Sequence, residues 1–171
     1  MGMRLSSAKI PAIAAEMVSL LTAAGDIETA SPKEVQADLE SVLTQYVRDE
    51  NEVNEKAKEL LAARGLPATE FAKLKKLVAG DRKIKLGDDA IDYLLDQLVE
   101  MLMYSTHVEE VWAEDVQLRL RMRAPLRQVA ADELKLQEAV RGQLKHVQEG
   151  TAIWEVEYQR MMDDIRRRKG L

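Results

Sequence analysis

Three arginines in the second half of the chain, Arg119, Arg123 and Arg127, recur at four-residue steps. On a helix that spacing puts three guanidinium groups on one face. Arg141 and Lys145 continue the basic set further along. Cations in such a row suit an anionic ligand, either RNA or DNA or an acidic protein, so these five residues form the candidate anion- or partner-binding set. The plainer reading is a solvated helix face, with Asp115 one turn before Arg119 and placed to pair with it. Arg166, Arg167, Arg168 and Lys169 pose the same choice, because a basic cluster at a helix C-terminus also complements the helix dipole. A continuous positive stripe would favour nucleic acid. A mixed-charge arm beside an exposed apolar patch would favour a protein.

No other residues assemble into a recognisable reactive set. His107 stands near Glu109 and Glu110, but a metal site needs three or four convergent ligands, and a loop or capping histidine is the simpler role. The carboxylate pairs Asp88-Asp89, Glu109-Glu110, Glu114-Asp115 and Asp163-Asp164 lie mostly where helices start, and the dipole alone accounts for acids there. Acid–base catalysis would also require a cleft and shifted titration. There is no glycine-rich phosphate loop and no cysteine, which excludes disulfides, thiolate metal sites and cysteine nucleophiles. The expectation is a non-catalytic protein with no cofactor and no metal.

The 171 residues make one domain, or two small lobes with a shared core. Only 4% are aromatic and the apolar set is Leu, Ala, Val and Met, which favours helix over sheet. No apolar run near the start is long enough for a signal peptide, Glu16 interrupting the nearest, and none approaches a membrane span. The expected compartment is the cytoplasm of a prokaryote. Formal charge is −5, divided as −9 over residues 1–115 and +4 over the remainder, which argues against wholesale polyanion binding.

The helices that must carry these residues are well punctuated. Ser6 or Ser7 opens a first helix with Pro11 in its first turns, and Gly25 ends it. Ser31-Pro32-Lys33-Glu34 is a capping-box start, and no breaker follows until Gly65, predicting a helix roughly 48 Å long at ~1.5 Å per residue. Leu39, Leu43, Tyr46, Glu50, Val53, Ala57 and Leu60 form a seam along it with one charged member, Glu50. A short helix with Phe71, Leu74, Leu77 and Val78 folds back on it. Gly87-Asp88-Asp89 opens a helix whose apolar stripe is Ile91, Leu94, Leu95, Leu98, Val99, Leu102 and Met103. Residues 108–112 then read as a packed connection. A second long helix starts near Ala113, with Pro125 predicting a bend, and Gly150-Thr151 caps the last one. On the last helix Ile153, Trp154, Glu157, Tyr158, Met161 and Ile165 fall mostly on one face, and Met101, Met103, Met161 and Met162 read as core filler. No strand is expected across residues 85–123.

The two halves match each other. At an offset of 81, Ile10 meets Ile91, Met17 meets Leu98, Leu21 meets Leu102, Val35 meets Val116 and Leu39 meets Leu120. Beyond that an offset of 83 fits better: Leu43 meets Leu126, Val53 meets Leu136, Phe71 meets Trp154, and Glu50 meets Glu133. Two added residues near Pro125 would explain the change. The pattern predicts an internal duplication, 1–84 and 85–171, around one core.

The stretch DDAIDYLLDQLVEMLMYSTHVEEVWAEDVQLR, with EGTAIWEVEYQ near the end and RLS at the start, resembles the bacterial family catalogued as domain of unknown function 507 over essentially the whole chain. The resemblance implies an all-α, Y-shaped fold in which a four-helix base carries two projecting hairpins. It implies no functional residues. In these terms the base is built from helices starting near Ser7, Pro32, Gly87 and Ala113. The arms are residues 47–80 and 128–168, with Phe71 and Trp154 in equivalent buried positions. The expected function is a protein-interaction or scaffold module whose partner is another protein, with RNA or DNA binding by the second arm as the rival and no membrane partner.

Overall fold

Pro32 opens the longest helix, which runs unbroken to Ala63. In the computed structural model, which describes residues 3–170, the order is α1 (Ile10–Ala23), β1 (Ile27–Glu28), α2 (Pro32–Ala63), α3 (Phe71–Asp81), α4 (Ala90–Tyr104), β2 (Glu110–Val111), α5 (Asp115–Gln143) and α6 (Ala152–Lys169). Single 3-10 turns lead into α1, α3 and α4. Pro11 falls in the first turn of α1, where no helical partner is lost. The Ser31 side chain makes no capping bond, however, and Glu34 turns towards His107 instead of closing a capping box. The reciprocal box forms at α5, between Glu114 and Gln117.

The helices bury the stripes their spacing marks. α1 packs on α2 and α5, and α4 packs on the same two; α3 folds back on α2, and α6 on α5. One apolar core draws on both halves of the chain, from Met3 and Leu5 through α1, α2 and α4 to Val129 of α5. Further along α5 a separate cluster joins Leu136, Val140 and Leu144 to Trp154 and Met162 of α6. Trp154 is 6% exposed and stacks on Tyr158 with ring centroids 4.8 Å apart. Phe71 is only half-buried. The residue one turn on from it is Lys75, so it lacks the aromatic neighbour that covers Trp154.

Several expectations are corrected. A strand does lie within residues 85–123: β2 pairs antiparallel with β1, Val111 opposite Ile27. The two interhelical connections run side by side there. The Asp26 carbonyl accepts from the Trp112 and Ala113 amides at 2.9 and 3.1 Å, and the Glu28 carbonyl from the Glu109 amide at 2.8 Å. Backbone groups that would otherwise lack partners pair with each other. α5 continues through Pro125, which is buried, although its missing N–H leaves the Arg121 carbonyl without its helical donor. Met103 and Ile153 are exposed, and Met162 takes the inward position.

The largest correction concerns register. Buried Ile13, Ala14, Met17, Val18 and Leu21 of α1 correspond at offset 81 to buried Leu94, Leu95, Leu98, Val99 and Leu102 of α4. Buried Val35, Leu39, Leu43, Tyr46, Val53 and Ala57 of α2 correspond at offset 83 to buried Leu118, Met122, Leu126, Val129, Leu136 and Val140 of α5. The larger offset thus applies from the first turn of α5. The change of offset falls not near Pro125 but in the connection before the helix, which has ten residues (105–114) against eight (24–31) before α2. Val116 and Leu120, aligned by the smaller offset with core residues, are solvent-facing.

Candidate functional site

The five basic residues do not form one stripe. Arg119 binds Asp115 and Asp96, each at 2.7 Å, and Arg123 binds Asp92 at 2.9 Å. Asp92 and Asp96 are one turn apart on α4, as Arg119 and Arg123 are on α5, so antiparallel packing brings the two pairs into register. Asp115 and then Asp96 hold the Arg119 guanidinium above its ordinary range by hydrogen bonding to its charged form. Arg141 lies 3.7 Å from Glu149 and 6.0 Å from the centre of the Tyr158 ring. Arg127 and Lys145 are exposed and, among the described residues, carry no ion pair. Fourteen residues of helix separate Arg127 from Arg141, about 21 Å. Arg121, off this face, reaches the buried carboxylate of Asp26 at 3.0 Å.

Beside the neutralised arginines lies an apolar face. Trp112 is 67% exposed, Val116 73% and Leu120 63%. Val116 and Leu120 are one turn apart on α5, and Trp112 lies just ahead of that helix, after β2. The pairs Asp92–Arg123 and Asp96–Arg119 tie α4 to α5 along their antiparallel register. Met103, near the end of α4, is exposed as well. The tryptophan is held in place: its indole N–H donates to Glu28 at 3.3 Å and its amide to the Asp26 carbonyl at 2.9 Å. The surrounding charge is acidic. The segment from Glu109 to Asp115 contains four carboxylates and no cation, and Glu100 lies one turn before Met103 and Tyr104 on α4. Among the described residues, no cation pairs with Glu100, Glu109 or Glu110.

A second feature is a polar crevice of about 440 Å³ between the α2–α3 and α5–α6 hairpins, lined among others by Arg4, Glu50, Lys75, Glu133, Tyr158 and Arg166. The two seam glutamates both face it. Burial raises the Glu50 carboxyl above its ordinary value, opposed by Lys75 and Arg4. Glu133 is paired with Arg166, each side chain 11% exposed. Burial also raises the Tyr158 phenol. Glu133 is held by Arg166, whereas Lys75 and Arg4 act on Glu50 through their charge alone.

His107 does not join Glu109 and Glu110. Its Nδ1 lies 3.0 Å from Asp38, its carbonyl accepts the Thr29 hydroxyl at 2.6 Å, and Ser105 donates to the same Asp38. These contacts tie the α4–β2 connection to α2. Among the described residues no group of three or more His, Asp or Glu side chains is arranged to hold a metal. No helix is long and apolar enough to cross a membrane.

The sequence reading missed the Trp112–Val116–Leu120 face. The signal was available in the spacing: a four-residue row of large apolar side chains displaced by two positions from the Leu118–Met122–Leu126 row that also runs along the helix. One helix cannot bury both rows in the same neighbour.

Compared with known families, residues 3–171 match the family described as protein of unknown function (DUF507). No curated protein matches the chain.

Proposed function

The chain belongs to the DUF507 family, and from that premise we propose that it is a non-catalytic, cytoplasmic interaction module that docks a protein on the exposed face of Trp112, Val116 and Leu120. In this reading α1, α2, α4 and α5 form a four-helix base, and the halves 1–84 and 85–171 are copies of one unit. The α2–α3 and α5–α6 hairpins project from the base as arms. The single observation that carries the docking role is the exposure of those three residues at 67, 73 and 63%. Contiguous large apolar residues on a soluble surface mark interaction sites, and tryptophan is enriched among residues that dominate binding energy. The corresponding residues of the first half, at offset 83, are Thr29, Lys33 and Ala37. That half presents no such face, so the apolar row is not something the fold itself requires.

The rival, RNA or DNA along the basic face, has fewer cations to work with. Arg119, Arg123 and Arg141 each have an acidic partner, leaving Arg127 and Lys145. A photo-crosslinking residue placed in turn at Val116, Leu120, Arg127, Lys33 and Ala37 of the full chain tests both in the native host. Discrete protein adducts from positions 116 and 120, absent from 33 and 37 and unchanged by nuclease, are expected. Nuclease-sensitive adducts from position 127, or none from 116 and 120, would overturn the reading. In vitro, Arg119, Arg123 and Arg127 changed together to Ala should leave RNA binding as it was, negligible at physiological salt. A salt slope reduced by up to ~2.7, at 0.9 per lost duplex phosphate contact, would favour nucleic acid.

A further inference from the structure

We propose that the apolar face of Trp112, Val116 and Leu120 takes a basic amphipathic helix of a partner protein. The inference rests on the interaction reading above and specifies the partner's chemistry. Two arguments select a helix. Val116 and Leu120 form an exposed apolar ridge on α5, and ridge-into-groove packing is how one helix seats another. They stand one helical turn apart, the spacing of successive apolar anchors at i and i+4 on a docked helix. An extended peptide finds little here, since the β1–β2 ladder is only two residues long.

The charge argument selects a basic partner. Among the described residues, Glu100, Glu109 and Glu110 have no ion-pair partner. The nearby cations are already committed: Arg119 to Asp96 and Asp115, Arg121 to Asp26, and Arg123 to Asp92. A docking helix therefore meets an apolar strip bordered by unneutralised carboxylates. Lysine or arginine beside its apolar stripe would be favoured there, while an acidic helix would place like charges together. The same rim disfavours a second copy of the chain docked face to face, which would oppose two sets of carboxylates. Trp112 is oriented before binding by its bonds to Glu28 and Asp26, so little of its side-chain entropy remains to be lost.

The test uses the full-length protein and two synthetic tryptophan-free helical peptides. They share apolar residues at i, i+3, i+4 and i+7, and differ in carrying Lys and Arg or Glu elsewhere. Trp154 is already buried, so a blue shift in protein emission on titration reports Trp112 leaving water. The basic peptide is expected to bind and the acidic one not to. Leu120→Asp should weaken the basic peptide by ~10-fold or more, as for loss of a central anchor, although it adds a negative charge. Glu100→Gln, Glu109→Gln and Glu110→Gln together should weaken it as well, and Lys33→Asp on the first-half counterpart should not. Leu120 is exposed, so its variant should keep the wild-type circular dichroism and melting temperature.

Equal binding of both peptides would overturn the proposal, as would basic-peptide binding indifferent to Leu120→Asp. So would concentration-dependent self-association that buries Trp112 without any peptide, which would make a second copy the occupant. Failure of the basic peptide combined with protein cross-links from positions 116 and 120 would remove this partner class and leave the interaction reading standing. Failure of both would remove both.

Discussion

The first turns of α2 and α5 begin with similar residues and meet opposite fates. Val35 and Leu39 are fully buried in the core. Val116 and Leu120, their counterparts by the alignment that fits the preceding helix pair, face solvent. Two extra residues in the connection before α5 separate the cases, and two residues of helix are a rotation of about 200°. A shift of two residues along a helix is thus enough to separate a buried row from an exposed one. In α5 a second row, Leu118, Met122 and Leu126, occupies the core, and the first is left free to serve something other than folding. An apolar helix row is therefore evidence of burial only against a known neighbour.

Truncating one leucine from each row should give very different losses. Leu39→Ala should destabilise by about 2–5 kcal/mol, the range for a buried leucine whose site collapses only in part. Leu120→Ala should stay within about 0.5 kcal/mol, as exposed positions do. Denaturant titration measures both, and equal losses would mean that the α5 row is core after all. The tryptophans make a parallel pair. Trp154→Ala should cost about 3–5 kcal/mol in the α5–α6 hairpin, while Trp112→Ala should remain under ~1 kcal/mol, because little beyond one partly exposed hydrogen bond is lost. A loss under about 1 kcal/mol at Trp154 would place it on the surface as a second partner candidate.

The seam glutamates separate the halves next. Glu133→Gln removes the charge facing the nearly enclosed Arg166 guanidinium and should cost about 1–3 kcal/mol, below the range for a fully buried pair. Glu50 should behave in the opposite sense. Burial raises its carboxyl above the ordinary value, so the folded chain holds that proton more tightly than the unfolded chain. Its contribution is most favourable below the unfolded value of 4.5 and is lost as pH rises through the elevated folded one. Glu50→Gln should therefore stabilise slightly at pH 7, by less than ~1 kcal/mol, with the advantage fading as pH falls through the raised folded value and gone below the unfolded one. Thermal melts at pH 7 and pH 4 check this. A destabilised variant at pH 7 would mean that Lys75 and Arg4 outweigh burial.

The smallest effect belongs to the α4–α5 ladder. Arg123→Ala breaks a partly exposed pair with Asp92 and should cost about 0.2–1 kcal/mol, less in high salt. A larger, salt-independent loss would mean that the ladder rather than the apolar core sets the register of these two helices.

What could be read from the chain alone was local. Ser31-Pro32, Gly25 and Gly150-Thr151 mark helix boundaries because capping and backbone conformation depend on neighbouring residues. The period of the apolar residues determines which side chains share a face, and the family was legible in the same stretch. Which face meets a neighbour is not local. The length of a connection and the packing of α4 on α5 decided that Val116 and Leu120 stay outside, and that Arg119 and Arg123 meet Asp96 and Asp92. They also brought Glu50 and Glu133 to one crevice. Helical periodicity repeats every 3.6 residues whatever lies alongside. An ion pair or a buried face, by contrast, requires a second element at a definite rotation and height, and only the assembled tertiary structure supplies both.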